Sequence, residues 1–156
     1  MNRRMHISKQ HGFTLVELVM VIVIIGILAA MAVPRMSLTD SSVHAQAAQI
    51  ARDIRHVQML AMNQGRTLTF ASLGGSYRCT DSTSTIITDP ATQQPFTFTL
   101  SNGVTLTATS VSFDSLGRPV SAGVLRSTAV AYTASGSGQS AALSVSPVTG
   151  FVTVTP

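Results

Sequence analysis

One apolar stretch near the N-terminus, Phe13 to Val33, constrains this chain more than any other feature of its sequence. Glu17 is the one charged residue in the stretch, and Thr14 is its one hydroxyl residue. At about 1.5 Å per residue, a helix of this length reaches about 31 Å, which matches the hydrocarbon core of a bilayer. The stretch therefore predicts a membrane-spanning helix around which the other segments are organised.

Glu17 is costly in such a helix. A charged residue near the middle of a bilayer is unfavourable by about 2.5–3.5 kcal/mol, and by less near the interface. Residues 13 and 17 share one helix face at a spacing of i, i+4. The carboxylate of Glu17 therefore needs either a cationic partner at that depth or an interfacial position from which it can reach the headgroups.

A short basic segment, Met1 to Gly12, precedes the apolar stretch. Its basic side chains Arg3, Arg4 and Lys9 should stay on the cytoplasmic face, so the remainder of the chain crosses the membrane. A secretory signal peptide carries its apolar core before the cleavage site, whereas here the core would follow it. The alternative to a cleaved leader is an uncleaved N-terminal signal anchor.

The run Gly12-Phe-Thr-Leu-Val-Glu17, followed by an apolar helix that ends near Pro34, resembles the type IV prepilin family. The resemblance implies that a prepilin peptidase cuts between Gly12 and Phe13 and that the new amine of Phe13 is N-methylated. It also implies that Glu17 pairs with the N-terminal amine of a neighbouring subunit and sets the axial register of a filament. The resemblance also implies that Pro34, which lacks an N–H, kinks or locally melts the helix without ending it.

A second helical pattern runs from Ser37 to Gln64. Asp40, Ser41 and Ser42 are candidate N-caps, and Gly65 is a candidate C-terminal stop. The apolar residues that recur at spacings of three and four are Val43, Ala47, Ile50, Ile54, Val57 and Ala61. This stripe predicts an amphipathic helix that packs on a β-sheet of the same subunit.

From residue 66 onwards the apolar period changes to two, which is typical of β-strands. Asn102-Gly103 predicts a tight hairpin between its flanking strands, and Pro147 to Gly150 predicts the turn of a last hairpin. The Ser/Gly-rich run from Ser135 to Gln139 predicts a flexible spacer. The expected fold is α+β, with a long N-terminal helix packed on an antiparallel β-sheet domain.

Four segments follow from these patterns. We expect a prepilin leader at residues 1–12, a transmembrane or filament-core helix at 13–34, an amphipathic helix at 35–65 and a β-rich globular domain at 66–156. Prepilin peptidase and N-methyltransferase, other pilins or pseudopilins, and the inner membrane are the expected partners. The expected location is single-pass in the inner membrane with the C-terminal domain in the periplasm, and then in a filament.

Motifs for enzyme chemistry are absent from the sequence. It contains no phosphate loop, GxSxG elbow, HExxH helix or CxxC pair, so we predict no enzyme activity, cofactor or metal site. Cys79 is the single cysteine and is expected to be a partly buried small residue, with an intermolecular bridge or a reactive thiol as the alternatives. His44 and His56 are interpreted as surface helix residues.

Two segments of the β region resemble the domain shared by the type II secretion pseudopilin GspH and the minor pilin FimT. They are Val111 to Pro119 (VSFDSLGRP) and Ser146 to Val154 (SPVTGFVTV). Pro34-Arg35 and the general layout are similar to the mannose-sensitive haemagglutinin (MSHA) minor pilin MshC. The resemblance implies a minor pilin of a type IV or MSHA-like pilus, with a minor pseudopilin of a type II secretion system as the alternative.

A DNA-binding minor pilin is a third interpretation, which the charge distribution disfavours. The chain carries a net charge of +4, but removal of the leader leaves seven basic against six acidic side chains. The arginines of the β region, Arg66, Arg78, Arg118 and Arg126, are scattered along the sequence. DNA binding requires basic residues that are clustered towards the phosphates.

Overall fold

The computed structural model describes residues 14–32 and 38–155. The chain divides into two compact units, residues 1–36 and residues 37–156. Among the described residues, the first unit contains helix α1 (Leu15–Ala32), and the second contains helix α2 (Leu38–Gln64) and ten β-strands. Pro34 lies outside the described residues, so the kink expected there stays a prediction.

Helix α1 lies within the predicted apolar stretch. Apolar side chains occur on every face of this helix. The large apolar residues from Leu15 to Leu28 are 44–79% exposed. Within the described part of the chain, no helix meets the combined length and apolarity needed to cross a membrane.

Helix α2 buries the predicted stripe. Its six residues, from Val43 to Ala61, are all fully buried in the core of the second unit. The helix begins at Leu38, two residues before the predicted cap at Asp40. It ends as predicted, because Gly65 adopts a φ of 63° and the N–H groups of Gly65 and Arg66 donate to the carbonyls of Met62 and Ala61. Only glycine adopts this left-handed conformation without a steric cost, so Gly65 stops the helix.

The strands form two antiparallel sheets. They are β1 Leu68–Ser72, β2 Ser76–Asp81, β3 Thr97–Thr99, β4 Thr105–Leu106, β5 Ser110–Phe113, β6 Pro119–Ser121, β7 Val124–Leu125, β8 Val130–Gly136, β9 Gln139–Val145 and β10 Val152–Thr155. The six-stranded sheet has the order β3-β2-β1-β5-β6-β7, and the four-stranded sheet has the order β10-β9-β8-β4. Helix α2 packs against strands of both sheets, which confirms the predicted α+β fold.

The predicted hairpin at Asn102-Gly103 is wrong. The two residues do form a tight turn with φ values of 54° and 69°, closed by a bond from the Val104 N–H to the Ser101 carbonyl. However, β3 before the turn pairs with β2, and β4 after it pairs with β8 in the other sheet. The turn therefore carries the chain from one sheet to the other.

The predicted spacer at Ser135 to Gln139 is also wrong. These residues close the long hairpin of β8 and β9, in which Gly136 pairs with Gln139. Ser137 and Gly138 form the two-residue turn with φ values of 49° and 83°. The predicted last hairpin is confirmed, because β9 and β10 pair antiparallel around Pro147 to Gly150.

Aromatic rings fill the centre of the core between α2 and the sheets. The ring of Phe70 lies 5.1 Å from that of Tyr77 and 5.8 Å from that of Tyr132, the second pair meeting edge to face. All three residues are at most 1% exposed. Full burial of one such large side chain stabilises the fold by about 1.5–3 kcal/mol, so this cluster holds both sheets to one core.

Candidate functional site

The first turn of α1 is capped by Thr14. Its hydroxyl oxygen accepts a hydrogen bond of 3.2 Å from the backbone N–H of Glu17, and its carbonyl accepts one of 3.2 Å from the N–H of Leu18. Thr14 is therefore the N-cap, and Glu17 occupies the third helical position, as in a capping box. The Thr-x-x-Glu spacing is the sequence signal for this cap, which is not among the predictions above.

Glu17 is the one sequence-predicted site residue that the structure describes. Its carboxylate lies in the first turn of α1, where the positive end of the helix dipole favours a negative charge. Gly12, Phe13 and Pro34 lie outside the described residues, so the cleavage site, the methylated amine and the kink stay predictions. The large apolar side chains of α1 from Leu15 to Leu28 are exposed.

The two segments that resemble the GspH/FimT domain, Val111 to Pro119 and Ser146 to Val154, both contact the C-terminal part of α2. The side-chain amide of Gln58 donates to the carbonyl of Gly117 at 2.7 Å and to the carbonyl of Thr149 at 3.0 Å. A few residues earlier, the guanidinium of Arg55 donates to the carbonyl of Val152 at 2.7 Å. We call these three hydrogen bonds the α2 clasp, because they tie the turn after β5 and the last hairpin to one helix.

Two glycines make the clasp possible. A Cβ on Gly117 would lie 2.7 Å from the sulfur of Met62, and a Cβ on Gly150 would lie 2.6 Å from the amide nitrogen of Gln58. Both glycines also have positive φ values, 75° and 70°. Each of the two segments that resemble the GspH/FimT domain thus contains a glycine that packs closely against α2.

A groove of about 540 Å³ lies on a different face of the second unit, between α2 and β3. The helix contributes Gln49, Arg52, Asp53 and His56 to one wall. The loop before β3 closes one end with Asp89, Thr92, Gln94 and Pro95, and the opposite wall is formed by Phe96, Thr97 and Phe98. Its size falls within the range of about 300–1,000 Å³ that is usual for ligand sites. No local sequence pattern predicts this groove.

Three charged or titratable residues of the groove wall, Asp53, His56 and Asp89, are held by hydrogen bonds. The hydroxyl of Tyr77 donates to the carboxylate of Asp53, and a ring nitrogen of His56 lies 3.2 Å from the carboxylate of Asp89. His56 also stacks on Phe96 with a centroid distance of 5.8 Å. Burial raises the pKa of Asp53 above its usual value despite the bond from Tyr77, and burial also raises the pKa of Tyr77. His56 is therefore half-buried and partnered, not a plain surface residue.

Asp89 organises the loop before β3. Burial alone would raise its pKa, but the backbone N–H of Ala91 and the side chains of His56 and Thr92 hold the pKa below its usual value. The same carboxylate thus joins α2 to the loop and fixes the end of the groove. A lowered pKa means that the folded state favours the ionised carboxylate.

Asp89→Asn is expected to lower the melting temperature at pH 7 by a few degrees and to have little effect near pH 2. The pKa of Asp89 is lower in the folded than in the unfolded state, so its contribution to stability is complete above the unfolded pKa. That contribution is lost as the pH falls through the folded pKa. Thermal unfolding at both pH values measures the difference, and an equal loss at both would contradict the electrostatic explanation.

Other candidate residues show no ligand chemistry. Cys79 is fully buried on β2, and burial raises the pKa of its thiol to about 12, so it is a core residue as expected. His44 is exposed on α2. Among the described residues, no group of three or more His, Cys, Asp or Glu side chains could hold a metal ion.

Comparison with protein families covers both parts of the chain. A model of the prokaryotic N-terminal methylation motif matches residues 7–33, and a model of the type II transport protein GspH matches residues 46–150. The second match spans well over half of the chain and contains most of α2, the groove and the clasp residues except Val152. The chain belongs to the GspH family.

Relatives of this GspH-family protein include the type IV narrow pilus major component PilA5 of Thermus thermophilus. It is 36% identical over 107 residues, which cover 61% of this chain and 90% of PilA5. Two crystal structures of the type IV minor pilin FimU from Pseudomonas aeruginosa are similar to this GspH-family protein with TM-scores of 0.57 and 0.52. Each is 14% identical, and they cover 74% and 72% of this chain and 90% and 92% of their own chains.

The likeness to FimU shows the fold, which is pilin-like. The resemblance to type IV prepilins and to the GspH/FimT domain is confirmed by the two family matches. This GspH-family protein is a type IV pilin-like structural protein that carries the N-terminal methylation motif, and it is not an enzyme.

Proposed function

We propose that this protein is a minor subunit of a type IV or MSHA-like pilus and that it is similar to the minor pilin MshC. The observation that carries the proposal is α1, an apolar helix behind a methylation motif whose large side chains stay 44–79% exposed. Such a surface requires lipid or neighbouring helices to cover it. Other pilins are therefore its partners in a filament, and the FimU-like fold supports a minor role.

The proposal includes processing of the N-terminus. Prepilin peptidase removes the leader, residues 1–12, by cutting between Gly12 and Phe13, and an N-methyltransferase modifies the amine of Phe13. The remaining segments are the membrane or filament-core helix at 13–34, the amphipathic helix at 35–65 and the β-rich domain at 66–156. Before assembly the protein spans the inner membrane once, with the β-rich domain in the periplasm.

Mass spectrometry of the protein from sheared filaments or from the membrane fraction tests this processing. We expect an N-terminal peptide that begins with methylated Phe13, because the methylation motif spans residues 7–33. An unprocessed Met1 to Gly12 leader on the assembled protein would contradict the proposal. A strain without prepilin peptidase is the control, and it should accumulate the full-length precursor.

A minor pseudopilin of a type II secretion system is the second candidate function. The match of residues 46–150 to the GspH model favours it. Deletion of the gene separates the two candidates, since loss of surface pili with normal secretion supports the pilus. Loss of secreted proteins with normal pili would instead assign the chain to the secretion system.

DNA binding is expected to be weak, with a Kd above about 1 µM at physiological salt. Arg66 lies 3.6 Å from Asp81, and Arg118 lies 2.8 Å from Asp114, so two of the basic side chains of the β region already face carboxylates. Fluorescence anisotropy with a labelled duplex across a salt series measures the affinity. Sub-micromolar binding at physiological salt would contradict this expectation.

A further inference from the structure

Strand β3 forms one wall of the groove and is also an edge of the six-stranded sheet. Its hydrogen bonds show which residues face the neighbouring strand. Cys79 donates its N–H to the carbonyl of Phe96, and Leu100 donates its N–H to the carbonyl of Gly75. Because backbone groups alternate in direction along a strand, the Phe96 carbonyl, the Phe98 backbone and the Leu100 N–H point towards β2, and Thr97 and Thr99 direct their backbone groups outwards.

The outward groups are suited to one particular kind of partner. The N–H of Thr97 is already donated to the carbonyl of Pro95. The Thr97 carbonyl and the Thr99 N–H remain, and among the described residues no strand lies beyond β3 to pair with them. In a parallel sheet, one residue of a strand donates its N–H to the carbonyl that precedes the opposite residue and accepts from the N–H that follows it. The Thr97 carbonyl and the Thr99 N–H lie in this way on either side of Phe98.

We propose that the groove binds an extended segment of another polypeptide, which adds a strand parallel to β3 and places one side chain beside Phe98. The residue opposite Phe98 donates its N–H to the Thr97 carbonyl and accepts from the Thr99 N–H. Its side chain then lies on the same face of the sheet as Phe98, inside the groove and under α2. Strand addition to an open sheet edge, with a pocket for alternate side chains, is an established mode of peptide recognition.

The polar groups in the groove already have partners, which favours an uncharged side chain at that position. Asp53 accepts a hydrogen bond from Tyr77 and lies near Arg52, and the carboxylate of Asp89 is hydrogen-bonded to His56. Half-buried Phe96 and Phe98 supply an apolar surface between them. The bound segment is therefore expected to alternate polar and apolar residues, with an aromatic or aliphatic residue at its centre. Since this surface makes no use of α1, the inference is independent of the proposed assembly function.

A synthetic heptapeptide, Thr-Val-Thr-Phe-Thr-Val-Thr with a lysine at each end, provides the probe. We expect it to bind the full chain in detergent micelles, as measured by fluorescence anisotropy. A matched peptide with an N-methyl group on the central Phe cannot donate to the Thr97 carbonyl. It should bind about tenfold more weakly, as expected for the loss of one hydrogen bond at an interface.

Substitutions on β3 test the same contact from the other side. Thr99→Pro removes the outward N–H without removing a bond to β2, and we expect it to weaken binding about tenfold. Thr99→Ala keeps the N–H and is the matched control, which should bind like the wild type. If thermal unfolding shows that Thr99→Pro is not folded, Gln49→Trp on α2 replaces it in the test. The tryptophan side chain fills the groove, so this variant should also bind the heptapeptide more weakly.

Two results would overturn the inference. One is no binding of the heptapeptide at millimolar concentration, or equal binding of the N-methylated peptide. The other is binding of a neutral sugar such as galactose that Gln49→Trp blocks and Thr99→Pro leaves unchanged, since this would assign the groove to a carbohydrate. Neither result would affect processing or filament entry, so the proposed function is tested separately.

Discussion

Glu17→Val is expected to leave the protein inserted in the membrane and processed, but to exclude it from the filament. The substitution keeps the cap of α1, because Thr14 accepts its hydrogen bond from the backbone N–H of residue 17 and not from the side chain. A carboxylate costs about 2.5–3.5 kcal/mol at mid-membrane and less near the interface, and the helix dipole at the first turn offsets part of that cost, so the isolated helix should lose little or no stability. The carboxylate must therefore be useful outside the monomer.

The processed amine of Phe13 is the cation that every subunit would offer at that depth. A pair between neighbouring subunits would attract an incoming subunit and stop it at one axial step. Breaking such a pair by removing one partner costs about 3–5 kcal/mol when it is shielded from water, which corresponds to at least a hundredfold fall in incorporation. A self-pair within one helix would give no reason for a register between subunits.

The measurement compares membrane levels, cleavage and filament content in a strain that lacks the wild-type copy. Glu17→Asp is the matched control, because it keeps the charge and should retain partial incorporation. Normal assembly of Glu17→Val at normal protein levels would refute the role in register. Glu17 would then be at most a recognition residue for the peptidase or the methyltransferase.

Gly150→Ala is expected to destabilise the second unit by about 2–5 kcal/mol, more than a typical surface substitution. Adopting a left-handed backbone costs a non-glycine residue about 1–2 kcal/mol. The added Cβ would also lie 2.6 Å from the Gln58 amide nitrogen and 3.0 Å from the Phe113 ring. Relieving that overlap breaks the α2 clasp and costs about 1–3 kcal/mol more.

Gly138→Ala provides the matched control for this substitution. Gly138 has a φ of 83° in the turn between β8 and β9, and a Cβ there would meet nothing within 4 Å. It should therefore lose about 1–2 kcal/mol, the backbone cost alone. Urea unfolding followed by tyrosine fluorescence measures both variants, and equal losses would show that close packing against α2 is unimportant.

Local periodicity predicted the helices well, because a helix depends on neighbours three and four residues away. The stripe from Val43 to Ala61 is fully buried, and Gly65 ends α2 where its backbone freedom is needed. Sheet pairing was less predictable, since the partners of a strand are set by the whole core. Asn102-Gly103 forms the expected turn, but its flanking strands pair with β2 and β8, which no local signal indicates.

The groove and the clasp were not predictable for the same reason. His56 and Asp89 are 33 residues apart, and Gln58 and Thr149 are 91 residues apart. Each residue is ordinary in its local sequence, and only the fold brings them together. Glu17, in contrast, could be identified from the sequence alone, because a single charged residue within an apolar run is visible there directly.

The α2 clasp also sets the order in which the domain can be completed. Helix α2 is synthesised before all of the strands. The carbonyl groups that accept hydrogen bonds from Arg55 and Gln58 lie 97 and 91 residues later, near the end of the chain. Contacts over such distances in sequence form slowly, because a long loop must close before they stabilise anything. Until the last hairpin has emerged, the apolar stripe of α2 is exposed to water and to other unfinished chains. A protein that loses its final strand is thus expected to be a target for chaperones and proteases.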